Sequence, residues 1–264
     1  MATPHRLTRS LKYEYELFVE QEIENYKESV PRNVLLGIGD DAVSKLHAQP
    51  QFALTELVLC EEVDRLIFRR LRLPSYETWR RKRLKLIDEM RRPAHWGLRA
   101  DDMLVRALSP AGEGRVLVAG AADECSSLYL AANGCQVTTL APEHDMLERV
   151  IQAAIGAGLA GRVNARIGDL ATWTPDSQLD AVIVSPVALE ALSPEERARV
   201  IEALKSATMD GGVHLVQTIA TASRGGSNGS LSLEELRSRY RGWTVTVERT
   251  DGRGKTFLAR KGAA

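Results

Sequence analysis

Apolar positions change their period partway along the chain. From Leu11 to Met90 they recur at helical spacing between charged residues, and from Gly114 onward short apolar runs of strand length alternate with helical segments. The first pattern predicts four helices. Leu11–Lys27 carries Leu17, Phe18, Ile23 and Tyr26 among glutamates, Asn33–Leu46 follows Pro31, and a third helix runs from Phe52 to about Leu71. The fourth, SYETWRRKRLKLIDEM, opens with Ser75 as N-cap after Pro74, and Trp79, Leu84, Leu86, Ile87 and Met90 form its imperfect apolar stripe.

The second pattern predicts strands in GRVLVAG, CQVTTLA, RVNARIGDL, LDAVIVSP and GGVHLVQTIA, the last of them after a turn at Asp210–Gly212. Helices are expected between them at about Glu124–Asn133, Pro142–Gly156 and Pro194–Thr208, the last opened by Ser193 and Glu196 at capping-box spacing. SLEELRSRY predicts one more helix, and WTVTVERT and KTFLARK, joined by DGRG, predict a closing hairpin. Alternating strands and helices require a parallel sheet covered on both faces. The turn-forming SPAGEG lies at the join, which divides the chain into a helical region, 1–107, and an α/β region, 112–264.

Composition adds little until charge is mapped along the chain. The 264 residues are 44 % hydrophobic and 27 % charged, ordinary for a globular protein with a sizeable core. Formal net charge is zero, yet acids dominate from Glu14 to Asp64, opposed by Lys27, Arg32 and Lys45, and bases dominate from Arg65 to Arg92, opposed by Glu77, Asp88 and Glu89. Two readings follow. The blocks neutralise each other or form solvated faces, or the Arg65–Arg92 stretch is a surface for phosphate, nucleic acid or an acidic protein, with Trp79 placed to stack on a base. No signal-peptide run and no uninterrupted apolar stretch of membrane length is present, and Cys60, Cys125 and Cys135 lack metal-ligand spacing. Reduced thiols and a cytoplasmic address are the expectation. Ser–His–Asp order, a metal-ligand cluster and a phosphate-cradling Gly-Lys-Ser/Thr loop are also missing from the sequence, so no metal is expected.

Five strand–helix units, then a helix and a closing hairpin, resemble the class I methyltransferases, whose sheet ends with an antiparallel seventh strand beside the sixth. LDAVIVSPVALEALSPEER resembles the family's fourth strand and the helix after it, GGVHLV its fifth strand, and SLSLEELRSRYRGWTVTVERTDGRGKTFLARK its C-terminal helix and hairpin. The resemblance covers Gly112 to Lys261. It implies an α/β fold, a Rossmann-like seven-stranded methyltransferase sheet with an antiparallel C-terminal hairpin, preceded by an all-α N-terminal domain. It also implies S-adenosylmethionine as cofactor and methyl transfer to an acceptor the sequence does not name.

A nucleoside cofactor at the strand ends needs a close-approach turn, a ribose acceptor and an adenine partner. In the family's register Gly120 is the first turn glycine, Val118 replaces an acid and Ala122 replaces the second glycine, while Asp123 and Glu124 stand where small residues are common. Ala141 occupies the place of the ribose carboxylate, and Glu143 is the acid two residues on. IGDL places Asp169 where the family's adenine-contacting acid sits, followed by Leu170. The cofactor set implied is therefore Gly120, Ala122, Glu143, Asp169 and Leu170, with no catalytic residue assigned. Losing a ribose carboxylate costs on the order of 1.5–3 kcal/mol, the scale of a hydrogen bond to a charged group. That loss opens a second reading, a catalytically inactive scaffold acting through its helical region. His95, in RRPAHWGL before the first strand, reads either as a general base or as a packed partner of Trp96, and His214 reads as a buried strand residue.

Overall fold

In the computed structural model, which describes residues 10–48, 55–108, 114–120, 124–220, 231–249 and 254–262, the charged N-terminal pattern forms four helices. These are α1 (Leu11–Ser29), α2 (Arg32–His47), α3 (Glu56–Leu71) and α4 (Tyr76–Met90). Ser10 caps α1 by accepting from the Tyr13 N–H, and Thr55 caps α3 by accepting from the Val58 N–H. Phe52, the predicted start of the third helix, lies outside the described residues. Ile23, Ile38 and Ile67 are buried together, with Val19, Tyr26, Val34 and Phe68 packed around them. Trp79 joins an aromatic cluster, its ring centroid 5.5 Å from Tyr15 and 6.1 Å from Phe18. The charge blocks do meet. Glu14 accepts from Arg83 at 3.2 Å, and the buried Glu62 is held by Arg65 at 2.5 Å and Lys45 at 3.6 Å. Arg80, Arg81 and Lys82 are exposed.

By packing, the chain divides into Met1–Leu86 and Ile87–Ala264. The strands start later than that division because a 3₁₀ turn at Pro93–Trp96 and α5 (Met103–Ala107) belong to the second unit. Met103, Leu104 and Val105, with Trp96 and Leu98, share an apolar cluster with Val116 and Val118 of the first strand.

That unit is built on β1 (Arg115–Ala119), β2 (Gln136–Ala141), β3 (Val163–Ile167), β4 (Leu179–Val184), β5 (Thr208–Ala220), β6 (Thr244–Arg249) and β7 (Gly254–Arg260). Their order is β3-β2-β1-β4-β5-β7-β6, parallel from β3 to β5, with β7 antiparallel to both β5 and β6. This is the seven-stranded methyltransferase sheet that the resemblance implies. Of the hairpin's DGRG turn, residues 251–254, only Gly254, the first residue of β7, is among the described residues. Between the strands lie α6 (Cys125–Ala132), α7 (His144–Gly156), α8 (Pro186–Glu190), α9 (Pro194–Ala207) and α10 (Leu233–Arg239). Strand residues alternate between the two faces. Leu117, Ala119, Val182 and Val184 enter a cluster with α9 and α10, whereas Val116, Val118, Ala181 and Ile183 enter the one with α6. Among the described residues no helix is long and apolar enough to cross a membrane.

β5 begins earlier than its apolar run, which the sequence places after an Asp-Gly-Gly turn. Leu179 pairs with Thr208 but Ala181 with Val213, so two steps on β4 face five on β5, and the turn is absorbed as an irregularity inside the strand. Gly211 there has φ +79°, and a Cβ on Gly212 would lie 2.8 Å from the Met209 carbonyl oxygen. Beside it, His214 is buried as its strand position implies. The Thr208 hydroxyl donates to Leu204 O at 2.7 Å, so Thr208 Oγ1 accepts from His214 Nε2–H at 2.7 Å, and His214 Nδ1 accepts from the Tyr240 O–H at 2.8 Å. The imidazole is thereby fixed as the neutral Nε2–H tautomer.

Burial, reinforced by the charges of Lys205 and Lys261, pushes the His214 pKa down to about 3. In the unfolded chain the same ring takes up a proton near its ordinary value of 6.5. Between those values the unfolded state binds more protons, so stability is lost as pH falls from 6.5 toward 3, with a slope of up to about 1.4 kcal/mol per pH unit from this residue. Urea unfolding of the parent and of His214→Gln at pH 7 and pH 5 should show a shallower pH dependence in the variant. Equal dependence in the two proteins would remove His214 as its source.

Candidate functional site

In an open α/β sheet a ligand binds beyond the carboxyl ends of the strands, at the point where strand order reverses. Here that point lies between β1 and β4. Ala119 pairs with Leu140 on one side and Val184 on the other. Three bonds carry the ladder one residue further. Gly120 N–H donates to Leu140 O at 2.9 Å, Ser185 N–H to Ala119 O at 2.9 Å, and Gly168 N–H to Ala141 O at 3.0 Å. Four strand ends are thus held side by side.

Gly120 turns the chain off β1 with φ +64°, and a Cβ there would lie 2.6 Å from the Ala188 Cβ. The glycine is therefore required by α8, which lies against this turn, as well as by backbone conformation. Ala122 and Asp123 lie outside the described residues. Glu124 is the N-cap residue of α6 but makes no side-chain cap bond. Val118, in place of the family's acid, is fully buried in the apolar cluster beneath α6.

At the end of β2, Ala141 is 3 % exposed and offers no side-chain acceptor. Glu143 is exposed, is the N-cap residue of α7, and makes no cap hydrogen bond. Opposite Ala141 in register stands Ile167 of β3, 63 % exposed, an apolar surface at the strand end. Two residues later Asp169 is exposed, and its Oδ1 accepts from the Thr172 N–H at 2.9 Å and the Thr172 hydroxyl at 2.8 Å. Those bonds hold its carboxyl below the usual carboxylate range. Leu170 is 4 % exposed and packs in the sheet core, so its side chain is committed there. A groove of about 580 Å³ starts at Glu143 and follows the outer face of α7 past Met146, Arg149 and Gln152.

The structure brings Gly120, Glu143 and Asp169 to one edge of the sheet through the ends of β1, β2 and β3. It does not bring His95 into that set by any bond. His95 is exposed, with its ring 4.8 Å from that of Trp96, whose Nε1–H donates to Met90 O at 2.6 Å. Among the described residues no group of three or more His, Cys, Asp or Glu is arranged to hold a metal.

Two features are absent from the sequence reading. One is α8, signalled only by Pro186 directly after Ser185, an N1 proline behind an N-cap serine. The other is Arg197 of α9, 1 % exposed, on one stripe with Val200, Ile201 and Leu204. Its Nε–H donates to Leu189 O at 2.9 Å, Nη2 to Leu192 O at 3.3 Å and Nη1 to Glu235 Oε2 at 2.9 Å. A basic residue at helical spacing among aliphatics was the available signal.

Residues 100–256, more than half of the chain, match the family model described as tellurite resistance protein TehB. No curated protein matches the sequence. Among solved structures, the [4+2]-cyclase SpnF is 19 % identical at a TM-score of 0.51, over 62 % of this chain and 80 % of that one. TehB from Haemophilus influenzae is also 19 % identical, at a TM-score of 0.49, and the match spans 60 % of this chain but only 61 % of that one. The N-methyltransferase NodS from Bradyrhizobium japonicum WM9, solved with S-adenosyl-L-homocysteine, is 17 % identical at a TM-score of 0.49, over 67 % of this chain and 95 % of that one. At such identities the likeness is one of fold.

The contact between Gly120 and Ala188 makes a prediction that needs no ligand. Gly120→Ala should destabilise the protein by about 2–4 kcal/mol, combining left-handed backbone strain with overpacking. Adding Ala188→Gly should recover the overpacking part and leave about 1–2 kcal/mol of strain, read by urea unfolding. A Gly120→Ala protein as stable as its parent would show that α8 does not press on this turn.

Proposed function

Because this chain belongs to the TehB family, we propose that it is an S-adenosylmethionine-dependent methyltransferase whose cofactor lies across the carboxyl ends of β1, β2 and β3. The observation that carries the reading is the level edge at which Gly120, Glu143, Ile167 and Asp169 meet. The fold alone does not carry it, since the same architecture serves the [4+2]-cyclase SpnF.

The residues present fit a nucleoside. The exposed Ile167 side chain offers an apolar face for a purine, and Asp169, ionised across the neutral range, is an acceptor for an exocyclic amine. With Ala141 buried and apolar, the ribose hydroxyls fall to Glu143, whose carboxylate has no cap bond to give up. Gly120 presents no side chain at the turn, and α8 forms the wall beside it. When bound, the cofactor supplies an electrophilic methyl on a sulfonium, so the protein's task is alignment of an acceptor for displacement. No general base is required for an acceptor that is already nucleophilic. The description of the family makes tellurite the first acceptor to assay.

Calorimetric titration with S-adenosylmethionine and S-adenosyl-L-homocysteine tests the reading. The parent should bind both, and Asp169→Ala should weaken binding by about ten- to a hundredfold, the loss of a charged hydrogen-bond partner. Asp169→Asn keeps an oxygen for Thr172 and separates loss of the turn from loss of the acceptor. Absence of binding at millimolar ligand would leave the inactive scaffold as the better reading.

A further inference from the structure

α8 is five residues long, from Pro186 to Glu190. A helix of that length does not hold its own shape or place, because its few internal bonds do not offset the cost of nucleation. Its position must come from outside. Ala188 rests on the Gly120 turn, and Val187, 69 % exposed, stands beside it at the carboxyl edge. At its other end the chain is tied to two later helices. Arg197 donates to the carbonyl of Leu189, within α8, and to that of Leu192, two residues beyond its end, while Glu190 Oε1 accepts from the Leu231 N–H at 3.1 Å just before α10. Glu235 supplies the charge that lets a guanidinium sit there. Its Oε2 bonds Arg197, and its Oε1 is buried without a hydrogen-bond partner. The Glu235 side chain is itself half-buried, and the buried Arg197 cation it neutralises accounts for its place.

We propose that Arg197 and Glu235 are a positioning pair for the candidate site: the guanidinium holds α8 by the Leu189 carbonyl and the turn after it by the Leu192 carbonyl, and so fixes Ala188 against Gly120 and Val187 at the cofactor edge. The pair touches no ligand. Its relevance to activity rests on the reading of that edge as the cofactor site, whereas its hold on α8 does not.

The geometry calls for arginine specifically. Three donors in one plane reach three acceptors, two at the end of α8 and the turn after it and one on α10, which a lysine ammonium cannot reproduce. Replacing a buried ion pair by apolar residues of similar size frequently preserves stability, so Arg197→Met/Glu235→Leu removes the hold on α8 without leaving an unpaired charge. Arg197→Lys is the companion that keeps the charge and loses the fork.

The test is amide hydrogen exchange of the full-length parent and both variants without ligand, followed by titration with S-adenosyl-L-homocysteine. The N–H groups of Ala188, Ala191 and Leu192, which bond within and just after α8, should exchange about tenfold or more faster in the double variant, while β1 and β4 amides keep their protection. Affinity should fall about tenfold, with Arg197→Lys in between. Unchanged exchange in α8, or an equal acceleration of α8 and the sheet, overturns the proposal, since a general structural role would loosen both alike. If the parent itself does not bind, the cofactor reading falls, and the exchange pattern alone decides whether the pair positions α8.

Discussion

The candidate edge is built outward from the parallel pairing of β1 with both of its neighbours, with β3 and Asp169 added through the pairing of β2. Val116 to Ala119 are 0–2 % exposed, and their ladders to β2 and β4 run without a break. Side chains alternate faces along a strand, so a slip by one residue would turn Leu117 and Ala119 away from α9 and α10 and present Val116 and Val118 in their place. Burial on both faces forbids that slip. The same register sets Gly120 beside Leu140 and Ser185 beside Ala119, so core packing and the geometry of the candidate edge are one constraint.

Much of this was legible because buried parallel strands leave continuous apolar runs. VLVA, VTTLA and DAVIV mark β1, β2 and β4 closely, and the Ser193–Glu196 box caps α9 as its spacing predicts. The antiparallel closing strands follow from their alternation. What the pattern could not show was partnership. Periodicity identifies an apolar helix or turn but not the surface that covers it, so Trp96 and Met103–Val105, read with the helical region, pack with the sheet. α8 is too short to leave a period, and β5 gains its early start from an irregular pairing that no local signal requires.

The candidate residues were legible by position and not by chemistry. Gly120, Glu143 and Asp169 follow the ends of β1, β2 and β3. Their states are set by neighbours the sequence does not name, Ala188 above Gly120 and Thr172 on Asp169. Leu170 follows Asp169 in sequence yet faces the core. Arg197 and Glu235 illustrate the same limit from the other side. Charged residues in amphipathic helices are ordinarily solvated, and only the meeting of α8, α9 and α10 shows that Arg197 is buried and Glu235 half-buried against it.

The hydrogen-bond chain from Tyr240 through His214 and Thr208 to Leu204 O runs in a single direction, each group donating to the next. It links the end of α10, the middle of β5 and the last turn of α9. Substituting one member strands a buried partner at a cost of about 1–3 kcal/mol, whereas exchanging the members together for apolar groups of matching shape is close to neutral. The three side chains are therefore coupled: exchanging them one at a time passes through less stable forms, and the relay is a unit that is kept whole or replaced whole.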